Sequence, residues 1–185
     1  MRRPTDICRR FVASTRAVAA IEFGMILPVL LLLFLGSYDA GRALAIDMKV
    51  RSATYTLAAI TNQYTTIQST DMQAIVGATS VVLAPYPSSP IVVVVSQLTI
   101  SASGKATVSW SYSLNGTARS LGSTVTIPSA LATPGSYLIY GEVSYTYTPS
   151  FGYFLTGPIT LADNLYVTPR SSTCIVYVPQ NGTTC

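Results

Sequence analysis

Most side chains able to do chemistry in this chain are scattered, but one stands where a charge is costly. Glu22 is the single ionisable residue in an apolar run from Ala17 to Leu35. A carboxylate at membrane depth is expensive and is kept with a partner, so by default it marks a functional site. The chemistry open to it there is charge pairing. An α-ammonium on Val18, one helical turn upstream, would suit it if the chain were cut before that residue, because each charge then offsets the other's desolvation.

The other reactive residues exclude more than they suggest. Histidine is absent, so neither a Ser-His-Asp or Cys-His arrangement nor a histidine-metal site can be built. The carboxylates beyond the run, Asp39, Asp47, Asp71, Glu142 and Asp163, show no spacing suited to a metal loop or a paired acid and base, and each reads as solvated surface. There is no Walker-type or dinucleotide-binding glycine pattern. The expectation is a protein that is not an enzyme and takes no metal or cofactor. Asn115-Gly-Thr and Asn181-Gly-Thr fit the glycosylation acceptor pattern and read as turns.

The formal net charge is +4, and its distribution decides its meaning. Arg2, Arg3, Arg9, Arg10 and Arg16 precede the apolar run against Asp6 alone, whereas Arg42, Lys49, Arg51, Lys105, Arg119 and Arg170 after it face the five carboxylates just named. The surplus is N-terminal, which leaves no basic stripe for nucleic acid. Basic residues flanking a hydrophobic helix stay cytoplasmic, so the N-terminus is expected inside and everything after Leu35 outside. Cys8 then lies on the reducing side, and Cys174 and Cys185 on the oxidising side. A Cys174–Cys185 disulfide would stabilise by about 2 to 3 kcal/mol in the chain-entropy model; two unpaired thiols in a frayed tail is the alternative. Cys8 reads as a free thiol, with lipidation the less favoured reading.

These residues must be positioned by a helix. Ala17 to Leu35 is nineteen residues, roughly the thickness of a bilayer's hydrocarbon core at the helical rise. Beyond it Tyr38, Ala43, Ile46, Val50, Ala53, Leu57 and Ile60 recur at helical spacing, opposite Arg42, Lys49, Arg51, Thr54 and Asn62. One long helix is predicted from about Val18 to about Tyr64, membrane-embedded and then amphipathic, with loosening at Gly36 and Gly41 and a kink at Pro28. A second helix is predicted around Asp71 to Leu83, ended by Ala84-Pro85-Tyr86-Pro87.

After Pro90 the period changes to two. Val108, Trp110 and Tyr112 alternate with Ser109, Ser111 and Ser113, and Val143, Tyr145 and Tyr147 with Ser144, Thr146 and Thr148, as in half-buried antiparallel strands. Further strands are predicted at Ile91 to Ser101, Ser136 to Glu142 (continuous with the second run) and Thr173 to Val178. Turns fall at Ser103-Gly104-Lys105, Asn115-Gly116 and Pro134-Gly135, each placing Gly where positive φ is useful. Ser150 to Asn164 reads as an irregular excursion. The fold class is α+β, a long N-terminal helix with a transmembrane first half packed on one antiparallel sheet. The divisions are residues 1–17 as basic leader, 18–36 as transmembrane helix, 37–66 as its amphipathic continuation and 67–185 as the outer α+β domain.

Arg16-Ala17-Val18-Ala19-Ala20-Ile21-Glu22-Phe23 has the layout of a type IV prepilin processing site: a basic leader, a small residue, a cut, and glutamate at the fifth mature position. Together with the apolar run to Gly36 and Asp39-Ala40-Gly41-Arg42, it closely resembles the TadE-like family, pseudopilins of the tight-adherence (Flp, type IVc) pilus system. Tyr166-Val167-Thr168-Pro169-Arg170 adds weaker support. The resemblance departs at one position, where the family carries Gly and this chain has Ala17, still a small residue. It implies a pilin-like fold and a pseudopilin or minor pilin supporting assembly of an adhesive pilus. A prepilin peptidase would cut between Ala17 and Val18, and Glu22, Phe23 and Pro28 would serve assembly. The implied partners are that peptidase, other pilins or pseudopilins, the inner-membrane assembly platform and membrane lipid. The implied location is the bacterial inner membrane, with the N-terminus cytoplasmic and the C-terminal domain periplasmic, and incorporation into a pilus an open option.

Two rival readings remain. Arg42-Ala43-Leu44-Ala45 supplies an Ala-x-Ala signal-peptidase pattern that would release a secreted binding module starting at Ile46. Alternatively, the chain is an unprocessed membrane-anchored structural protein that keeps Met1.

Overall fold

The computed structural model describes residues 15–152 and 157–181. The arginines before Thr15, Cys8 and Cys185 lie outside the described residues. Helix α1, Thr15–Thr61, is one uninterrupted element, about 70 Å long at the helical rise. Pro28 lies inside it without ending it; lacking an N–H, it leaves the Gly24 carbonyl without an intrahelical donor. Gly36 and Gly41 do not break the helix either.

The two halves of α1 have opposite surroundings. Val18, Ile21, Phe23, Met25, Leu32, Leu33 and Phe34 are exposed, and this stretch is long and apolar enough to cross a membrane, with none of it buried against the rest of the chain. From Ala43 the helix enters the core through Ile46, Val50, Ala53 and Leu57, all at most 1% exposed, on the stripe the spacing predicts. Tyr38 departs from it, half exposed rather than in the core, and Thr54 and Asn62, expected on the opposite face, are buried.

Helix α2, Ser69–Val81, buries Met72, Ile75, Val76 and Thr79 and packs on α1. Asp71 in its first turn accepts the Gln68 backbone N–H at 2.9 Å, which satisfies one of the donors a helix start leaves open and sets a negative charge at the positive end of the dipole.

The sheet has five antiparallel strands in the order β4-β3-β2-β5-β6: β2 Ile91–Ile100, β3 Ala106–Leu114, β4 Thr124–Val125, β5 Tyr137–Tyr147 and β6 Ile159–Val167. Helix α1 lies across β5 and β6. Gly141 on β5 lets it approach closely, since a Cβ there would stand 3.3 Å from Leu57 Cδ2. Separately, β1 (Thr66–Ile67) pairs in parallel with β7 (Val176–Tyr177), and a short helix, α3, covers Val178–Asn181.

Four expectations about the sheet and its turns are corrected. Strict alternation put Val108 and Trp110 on one face, but the register passes from Gln97↔Trp110 to Leu98↔Val108, so Ser109 is bulged out and the phase flips. Trp110 joins the core beneath α1, whereas Val108 turns to the other face and packs with Leu98, Ile100, Leu138 and Tyr140 in a second cluster. Residues 159–164, read as part of an irregular excursion, belong to strand β6. The strand expected at Thr173 to Val178 shrinks to Val176–Tyr177. Among the turns, Gly104 and Gly135 do carry positive φ, but at Asn115-Gly116 it is Asn115, at φ 56°, that does. Gly116 is needed instead for room, because a Cβ there would meet Val92 Cγ1 at 2.5 Å.

Candidate functional site

The N-terminal constellation sits at the start of α1, whose residues from Val18 through Leu33 are exposed. The helix runs unbroken from Thr15 through Ala17 and Val18 to Glu22. Val18 is 49% exposed, and Phe23 59%. Glu22 is exposed as well and makes no hydrogen bond or ion pair among the described residues. Helical spacing sets Val18 and Glu22 one turn apart on one side of α1, and Pro28 lies further along the same exposed segment. The geometry therefore offers a carboxylate on an apolar rod with no partner in its own described chain. What it can do chemically is accept a cation from elsewhere.

The opposite arrangement holds at Asp39, one turn past the apolar run. It is 6% exposed, not the solvated surface residue that its isolated position in the sequence suggests. Its carboxylate accepts the backbone N–H groups of Ser150 (3.1 Å), Phe151 (2.8 Å) and Gly152 (2.7 Å), and the Tyr147 hydroxyl at 3.3 Å. Three consecutive N–H groups converging on one anion form a nest, a concavity of partial positive charge. Burial alone would push this carboxyl's pKa up; the N–H groups of Gly152, Phe151 and Ser150 and the Tyr147 hydroxyl outweigh that and hold it below the ordinary carboxylate value. Burial, and then the Asp39 charge, raise the Tyr147 phenol, which stays protonated as a donor. The result fastens the loop after β5 to α1. The only sequence signal was the Asp39-Ala40-Gly41-Arg42 stretch; the partners are more than a hundred positions away.

Around this clasp lie aromatic and cationic groups. The Tyr38 ring meets Phe151 edge to face at 6.0 Å between centroids, and the Arg42 guanidinium stands 5.9 Å from the Tyr38 ring centre. Tyr38 and Phe151 are 48% and 53% exposed.

A third group of residues holds the C-terminal segment. Trp110 Nε1 donates to the Ile175 carbonyl at 2.8 Å, the Ile175 N–H donates to Gln97 Oε1 at 2.6 Å, and Gln180 exchanges two hydrogen bonds with the Ser111 backbone. Cys174 is disulfide-bonded; Cys185, its proposed partner, lies outside the described residues. On the other sheet face Glu142, also expected at a solvated surface, forms a two-bond pair with Arg119 at 2.8 and 2.6 Å. The hydrogen bonds that Arg119 donates to Glu142 raise the Arg119 pKa, and the guanidinium lies 5.2 Å over the Tyr140 ring, which itself stacks on Tyr166 at 4.3 Å. Partly exposed, this group braces β5, β6 and the loop after β3.

No curated protein matches the chain, and no solved structure does. Residues 17–59, within the helix that carries Glu22 and Asp39, match the model of the TadE-like protein family.

Proposed function

We propose that this protein is a TadE-like pseudopilin or minor pilin that supports assembly of an adhesive tight-adherence pilus through protein contacts, without enzymatic activity. A prepilin peptidase cuts between Ala17 and Val18, and the new Val18 amine pairs with Glu22 of a neighbouring subunit. The observation that carries this reading is Glu22 itself: exposed on an apolar helix, one turn from Val18, with no partner among the described residues of its own chain. The family match over residues 17–59 supports the association with the pilus system.

The physical logic runs through the membrane. Before cleavage the leader arginines hold the segment at the anionic cytoplasmic face, and their removal weakens that hold. The amine and the carboxylate then offset each other's desolvation as subunits stack. Partners on this reading are the peptidase, other pilins or pseudopilins, the inner-membrane platform and lipid. The N-terminus is cytoplasmic and the sheet domain periplasmic.

The secreted alternative fits less well. A cut after Ala45 would sever α1 inside its continuous span and carry off Asp39, leaving the N–H groups of residues 150–152 without their acceptor. Mass spectrometry of the protein from membranes of its native host tests the proposal. A mature N-terminus at Val18 is expected; an intact Met1 overturns the processing step, and a start at Ile46 overturns the whole reading.

A further inference from the structure

Phe151 in the loop after β5 and the stretch of α1 just past the apolar run, Tyr38 to Arg42, together form a surface that neither the processing site nor the pairing of Glu22 uses. We propose that Phe151 and Tyr38, with Arg42 beside them, are a second membrane contact that seats the folded domain on the lipid interface. This rests on residues 18–36 crossing a bilayer, and the three observations behind it are independent of Glu22.

The first is depth. The apolar run ends at Leu35, so Tyr38 lies about 5 Å further along the helix axis. The headgroup region on each side of the hydrocarbon core is about 5 to 8 Å thick. Tyr38 therefore falls where amphipathic aromatic rings accumulate, and its edge-to-face contact holds the Phe151 ring centre 6.0 Å from its own.

The second is the loop backbone. An irregular loop entering a partly dehydrated layer needs its N–H groups satisfied from within. Ser150, Phe151 and Gly152 all donate to Asp39, so the segment that presents Phe151 does not depend on water for these donors. Phe151, 53% exposed, can lose its remaining hydration there with its own N–H already paired. The third is charge. Arg42, stationed over Tyr38, is placed to meet lipid phosphate, which a planar guanidinium binds well.

Tryptophan reporters in the full chain test this. The native Trp110 is fully buried and supplies a constant background. Phe151→Trp, Leu31→Trp and Leu121→Trp, all at exposed positions, are compared in phosphatidylethanolamine/phosphatidylglycerol vesicles whose acyl chains are brominated close to the headgroup. Leu121 reports on the far end of the domain: its neighbour Gly122 bonds to Val108, in the register row of Leu98 and Leu138, nine residues along β5 from Tyr147.

The expected result is blue-shifted emission and loss of the added fluorescence for Phe151→Trp and Leu31→Trp, and neither for Leu121→Trp. Quenching at Leu31→Trp with Phe151→Trp as unquenched as Leu121→Trp overturns the second contact while leaving the anchor intact. No quenching at Leu31→Trp overturns the membrane span and this inference with it. Quenching at all three positions overturns the claim that this face in particular is seated on lipid.

Discussion

The Asp39 carboxylate accepts a 2.7 Å hydrogen bond from the backbone N–H of Gly152, 113 positions later in the chain. With the bonds from Ser150 and Phe151 it ties the middle of α1 to the loop after β5. The amides of 150–152 are thus tied to the fate of one side chain. In Asp39→Asn the charge is gone and the amide nitrogen faces donors instead of accepting from them. Hydrogen exchange at Ser150, Phe151 and Gly152 is expected to accelerate strongly, while the amides of α2, around Met72 and Ile75, keep their protection. Unchanged exchange in the loop would show that the clasp contributes nothing to its order.

The same clasp sets a pH dependence. Because the folded-state pKa of Asp39 is depressed, the carboxylate stabilises the fold above its unfolded-state value of about 3.9, and that contribution is lost as pH falls through the lower folded value. The stability gap between the wild type and Asp39→Asn is therefore expected to be constant at neutral pH and to shrink on acidification below about pH 4. Denaturant titrations of both proteins at matched pH measure it. A gap that widens in acid would reverse the sign and reject the assignment.

Gly141 and Leu57 are coupled by a 3.3 Å approach. Gly141→Val overpacks the space between α1 and β5 and is expected to cost about 1 to 3 kcal/mol, and Leu57→Ala, at a fully buried position, about 2 to 5 kcal/mol. The valine can occupy what the leucine vacates, so the double variant should fall short of the sum by about 0.5 to 3 kcal/mol. Additive losses in a urea-denaturation cycle would mean that the helix and strand do not constrain each other here.

What the sequence revealed and what it hid follow from the range of each signal. The apolar run, the core stripe Ile46-Val50-Ala53-Leu57 and the alternation in β5 are local periodicities, and they name their own element and face. The bulge at Ser109 is invisible because it depends on how β2 and β3 pair, and a shift of one residue leaves the β3 composition unchanged while reversing Val108. Strand β6 is obscured because Ala162, Asp163 and Asn164 in its middle are poor strand formers; pairing with β5 overrides them. Asp39 is the clearest case. A lone acid after an apolar run looks like solvated surface, and only the fold brings three N–H groups to it. Glu22 stands out in the sequence for the opposite reason, since a charge inside an apolar run is anomalous without any knowledge of contacts.

The C-terminal segment is held by buried polar contacts, which makes it sensitive to conservative changes. Trp110→Phe preserves most of the ring volume but removes the Nε1 donor and leaves the Ile175 carbonyl unsatisfied in a region where Ile175 is fully buried. The expected loss is about 1 to 3 kcal/mol, read as a lower urea midpoint with an unchanged slope. A wild-type midpoint would show that the carbonyl finds another donor.

Glu22 gives the most direct test of the proposed function, because charge and size can be separated there. Glu22→Gln keeps the length and most of the polarity but cannot neutralise an ammonium. The apolar run around it is unaltered, so the variant should insert into the membrane as the wild type does, and cleavage at Ala17–Val18 does not depend on the pairing. What should fail is the step at which one subunit's Val18 amine leaves water beside a neighbour. An unpaired buried charge costs about 3 to 5 kcal/mol at each such contact, and that penalty repeats along an assembly. Membrane fractions should therefore contain processed Glu22→Gln protein in normal amount while sheared filaments lack it, and Glu22→Asp, with its charge kept on a shorter arm, should be intermediate. Normal assembly of Glu22→Gln would break the link between this carboxylate and the new N-terminus. Failure of insertion instead would assign Glu22 to membrane entry and not to subunit contact.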